Sequence, residues 1–172
     1  MVFLRASFNL LDIQVAGHSM ETVLQYEIPA LHPLAVHFPI ALLIAAFVVC
    51  AIWLATGGRL WRRATTVLLV AGAMGSAFAY FTGEAMYEMS EDIPIVDELI
   101  ELHETLALVT LWIAVLLSLG ALVLEYLGRS APDDTIDPVA IRLTAFVCLL
   151  ALALVVAAVG HVGATMVWGV AR

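Results

Sequence analysis

The stretch "ALHPLAVHFPIALLIAAF", Ala30 to Phe47, decides how the chain is read. From Pro39 onward it is apolar enough to enter a bilayer. Yet two histidines and two prolines stand at its mouth: His32, Pro33, His37 and Pro39. Ionisable residues are rare within membrane spans and usually face the bundle interior or a cavity. Imidazoles at the head of such a helix therefore pose a functional question.

Working outward, the composition fixes the class. The chain has 172 residues, 63% of them hydrophobic and only 13% charged, with a mean hydropathy of +1.04. A soluble domain of this size cannot bury that much apolar surface, so an integral membrane protein is expected. A membrane helix needs about 20 mostly apolar residues. Four stretches qualify, near 33–56, 64–83, 102–127 and 140–170. The third is expected to start before the membrane, with Ser90 and Asp92 as capping candidates and Pro94 in its first turn. The fold class expected is thus all-α, an integral membrane four-helix bundle with up-down topology. It occupies residues 30–172, preceded by a peripheral segment at 1–29. That segment is too short and mixed to span and has no convincing signal-peptide cleavage site. Met20 is an alternative start.

Arg59, Arg62 and Arg63 follow the first span, and Arg129 and Arg142 flank the connection between the last two. The positive-inside rule turns these loops to the cytoplasm and both termini outward, in the multi-pass membrane of a prokaryote. The outward loop then carries Glu84, Glu88, Glu91, Asp92, Asp97 and Glu98. Trp53 and Trp61 suit the inner interface, Trp168 the outer. The net charge of −8 argues against nucleic acid as a partner. Cys50 and Cys148 are isolated, so neither a c-type haem attachment nor a thiolate zinc site is expected.

Four histidines, His32, His37, His103 and His161, converge on one depth from three spans; His18 stands apart. His161 lies about 28 Å along a helix from Arg142, and so in the outer leaflet. Taken singly, each has a structural reading, interfacial or hydrogen-bonded to a neighbouring helix. On the third span Val96, His103, Ala107, Thr110, Ala114 and Leu117 share one face at helical spacing, expected to point inward. Asp97, Glu101 and Glu104 form a second stripe, expected to be solvated. Pro39 either starts the regular helix or removes the bond to the carbonyl of Ala35. Gly72, Ser76, Ala79 and Gly83 on the second span, with Gly160, Gly163 and Ala164 on the fourth, read first as close helix packing. They also leave room for a flat cofactor.

Imidazole suits iron, copper, zinc and nickel, and haem b is the cofactor an apolar bundle buries most readily. In an up-down bundle the first and third spans are diagonal. His37 and His103 are therefore the expected axial ligands of the haem iron. His161 is the substitute ligand, and His32 a hydrogen-bond partner for a propionate. The function expected is a membrane b-type cytochrome carrying electrons near the outer face. Its partner would be a quinol or a soluble redox protein. Copper is the competing metal, with Met86, Met89, His18 and Met20 as soft or imidazole donors. A non-catalytic subunit of a larger redox complex, or a homo-oligomer, is the other reading. No motif assigns the chain substrate chemistry of its own: the Glu-x-x-His repeats of di-iron bundles, a P-loop, a zincin motif and a nucleophile elbow are all missing.

"HPLAVHFPIALL" (His32 to Leu43) resembles the signature of a family of four-span bacterial and archaeal membrane proteins of unknown function. "TGEAM" (Thr82 to Met86) and "GHVGATMVWGV" (Gly160 to Val170) are its weaker companions. Members are sometimes joined to cytochrome c or Rieske iron–sulfur modules. The resemblance thus implies membrane electron transfer and names no reaction.

Overall fold

The computed structural model describes residues 31–87, 94–132 and 135–169. The expected peripheral segment, His18, Met20, and the loop residues Glu88, Met89, Ser90, Glu91 and Asp92 lie outside the described residues. The described residues are helical: α1 (His32–Ala35), α2 (His37–Thr56), α3 (Arg59–Tyr87), α4 (Pro94–Gly128) and α5 (Val139–Trp168). Four spans are long and apolar enough to cross a membrane, α1 and α2 together forming the first. The second begins five residues earlier than the sequence suggests, because Arg59, Arg62 and Arg63 belong to its first turns and not to a loop. At 35 residues, α4 is about 52 Å long against a hydrocarbon core of about 30 Å. It therefore protrudes, as expected from its polar start.

Consecutive spans pack side by side, and the last closes against the first, so the first and third spans face each other across a diagonal. The turn between α2 and α3 is only Gly57 and Gly58. Gly57 caps α2 in the left-handed conformation (φ 71°), its N–H returning to the Trp53 carbonyl at 2.7 Å. Small residues set the spacing. A Cβ on Gly72 would fall 2.5 Å from Leu43 Cδ2, and one on Gly75 would fall 3.3 Å from Pro39 Cδ. The packing reading of that stripe is the one realised here. Pro39 lies in the first turn of α2, where its missing N–H removes no helical bond. The two helical pieces of span 1 meet at Val36, which keeps helical dihedrals.

Buried hydroxyls are satisfied locally. Ser76, Thr110 and Ser118 each donate to the carbonyl four residues back. That is how a span hides polar side chains from lipid.

The arginine end is a clasp. Arg62, 6% exposed, donates from Nε to Glu125 Oε1 at 2.7 Å and pairs through Nη1 with Asp137. Asp137 also accepts from Trp53 Nε1 at 2.9 Å. Arg59 donates to the carbonyls of Gly128, Pro132 and Ala131, and Arg142 donates to Leu54 O at 2.6 Å. All four spans are tied at this level. Trp53, expected at an interface, is instead buried at 2% exposure with its indole inside the clasp; Trp168 is exposed.

Candidate functional site

At the opposite end the histidines sort into two kinds. His32, on the short α1, turns inward against α3. Its Nδ1 lies 2.9 Å from the carbonyl of Ala79 and 3.3 Å from Thr82 Oγ1. A carbonyl only accepts, so Nδ1 carries the proton and Nε2 keeps the lone pair. His103, nine residues into α4, lies against α5 beside Val159 and Gly163, and its Nδ1 is buried without a hydrogen-bond partner. The two rings meet across the diagonal, centroids 6.3 Å apart and planes at 87°.

Glycines make the seats. A Cβ on Gly83 would fall 3.1 Å from His32 Cε1, and one on Gly163 would fall 3.0 Å from His103 Cε1. The glycines read as space for a flat cofactor are occupied by the flat imidazoles themselves.

His37 and His161 do not join this pair. Both are exposed on the helix surface. His37 Nδ1 donates back to the Pro33 carbonyl at 2.6 Å, which leaves its Nε2 outside the bundle. The His161 carbonyl accepts from Thr165. The structure therefore brings His103 together with His32, not with His37.

A cavity of about 70 Å³ lies beside the pair, lined also by Ser76, Tyr80, Ala107 and Thr110. Of the inward face expected on the third span, His103, Ala107 and Thr110 line it. Asp97, Glu101 and Glu104 are exposed, as expected of a solvated stripe; Glu104 accepts from Tyr80 Oη at 3.4 Å. Among the described residues no group of three or more His, Cys, Asp and Glu side chains could hold a metal. Any metal here would rest on two imidazoles.

These facts test the haem expectation. The diagonal pair has the right residues for axial ligands, but 70 Å³ is far below the ~300 Å³ at which ligand pockets begin. It is room for an ion or a few waters. A larger cavity of about 470 Å³ lies toward the arginine end, and no histidine lines it. The residues and the space for a porphyrin are in different places.

Sequence reasoning also missed Glu125 and Asp137 as the partners of Arg62. Glu125, a lone carboxylate inside an apolar run, and Asp137, the last acid before the fourth span, were the available signal.

No curated protein and no solved structure matches the chain. The profile of a family described as a predicted membrane protein (DUF2231) matches residues 28–171, taking in every described helix and both inward histidines; the chain belongs to that family.

Proposed function

We propose that the protein is a membrane redox protein that holds a single transition-metal ion, copper by preference, between Nε2 of His32 and Nε2 of His103. One observation carries this reading: the two inward rings come together at 6.3 Å, with His32 Nδ1 held by the Ala79 carbonyl of the neighbouring helix. Histidines that ligate metals characteristically have the other ring nitrogen bonded as that of His32 is, which fixes tautomer and aim. A metal about 2 Å from each nitrogen suits that centroid spacing. Imidazole binds copper well, and copper(I) accepts two ligands. Copper's one-electron couple would supply the electron transfer.

The cytochrome reading uses the same diagonal. It is favoured by the ring placement and disfavoured by the enclosed volume. The orientation that places this end outside a prokaryotic cell, and a redox partner there, belong to the same proposal.

The test is metal analysis and a visible spectrum of protein purified in mild detergent after expression with ample copper and haem. About one copper per chain is expected, lost in H32A and in H103A and kept in H37A and H161A. A Soret band with sharp reduced α and β bands would replace copper by haem. Neither metal nor haem in the wild type would overturn the metal site and leave a structural subunit.

A further inference from the structure

The cavity of about 470 Å³ near the arginine end is independent of the histidine pair. Along α4, residues 103 and 120 are about 25 Å apart. Its floor is buried: Thr65, Leu69 and Leu149 are each under 5% exposed. Its rim is not. Leu116 and Gly120 of α4 face Ala140 and Thr144 of α5, and all four are exposed. The mouth therefore opens sideways between two spans, toward lipid. Nothing lies within 4 Å of a Cβ placed on Gly120, so the opening is unobstructed there.

The polar groups narrow the occupant. Thr65 and Thr66 return their hydroxyls to the carbonyls of Trp61 and Arg62. Arg62 is already matched to two carboxylates, so an anionic headgroup finds no unspent cation. Trp53 gives its N–H to Asp137. Thr144 differs: among the described residues its hydroxyl has no partner, and it stands at the rim. The site offers an apolar slot bounded by small residues, entered from the bilayer, with one free donor.

We propose that this cavity binds a quinone-type ring, its carbonyl accepting from Thr144 and its tail leaving into lipid. The volume lies in the range of ligand pockets. Only binding is assigned, and it stands whether or not the histidine pair holds a metal.

Cys148 lines the cavity while Cys50 is fully buried, so thiol labelling reports on the site. The experiment is maleimide labelling of Cys148 in nanodiscs, with decylubiquinone or with decylbenzene, which lacks a carbonyl. Decylubiquinone should protect at about fivefold lower concentration than decylbenzene, the worth of one hydrogen bond. T144V should erase that difference, and so should G120W, which fills the mouth. Equal protection by both compounds in the wild type, or protection by neither, overturns the proposal. So does a quinone preference that survives T144V.

Discussion

The two ends of the bundle handle polar groups in opposite ways. At the arginine end the charges are matched inside one contact network: Arg62 with Glu125 and Asp137, and Asp137 with Trp53. At the histidine end the bonds stop halfway. His32 has one nitrogen fixed and one left over, and His103 buries Nδ1 without a closed bond. A buried polar atom without a partner costs about 1–3 kcal/mol, and Arg142 Nε at the arginine end is one as well. What sets the histidine end apart is two imidazoles facing each other at 6.3 Å with no carboxylate between them among the described residues. The comparison sets a clasp that holds helices against the candidate site proposed above.

The comparison can be broken at the clasp first. Asp137→Ala leaves Arg62 with half its carboxylates and Trp53 with none. Breaking a buried pair costs about 3–5 kcal/mol, and unfolding in mixed micelles should show a loss of that order. A loss under ~1 kcal/mol would mean the network is ornamental. The metal content of the surviving folded fraction should be unchanged. At the other end the effects should invert. His103→Ala and His32→Ala should each lower copper affinity at least ~tenfold while unfolding shifts little; competition with a chelator gives the first number and the same micelle titration the second. A large stability loss with metal retained would make the pair structural.

Subtler changes sharpen the contrast. Gly163→Ala adds a methyl 3.0 Å from His103 Cε1. It should displace the ring and weaken copper binding about tenfold without touching a ligand. Gly160→Ala, with nothing within 4 Å, is the control and should do neither. The smallest effect belongs to Arg63→Ala. Arg63 approaches Glu125 at 3.7 Å from an exposed position, and such pairs are worth about 0–1 kcal/mol.

The spans were legible because a membrane demands length and apolarity, and both are one-dimensional properties. The diagonal followed from short connections. Which histidine points inward was harder. Span 1 is apolar on every side, so no amphipathic contrast marks its buried face. The buried positions Ala35, Pro39, Leu43, Ala46, Cys50 and Trp53 step by three and four. Carried back one turn, that stripe meets His32 and passes His37 by. The cue was in the small and unusual residues, not in hydropathy. His161 is out of register in the same way with Leu149, Leu152, Val156 and Gly163. The clasp was illegible for another reason. Arginines beside a span serve orientation equally well, and only the third dimension brings Glu125 and Asp137 to Arg62.

The clasp also orders events in time. Arg62 is synthesised long before Glu125 and Asp137. The first helical hairpin is complete while its guanidinium has no carboxylate to meet. Until then Arg62 must keep its head in the interfacial water, the snorkelling that a long side chain permits. Only docking of the second hairpin neutralises it and draws it inside. The bundle thus has a final locking step written into chain order, and a ribosome stalled before residue 125 would expose a half-bundle still open at that end.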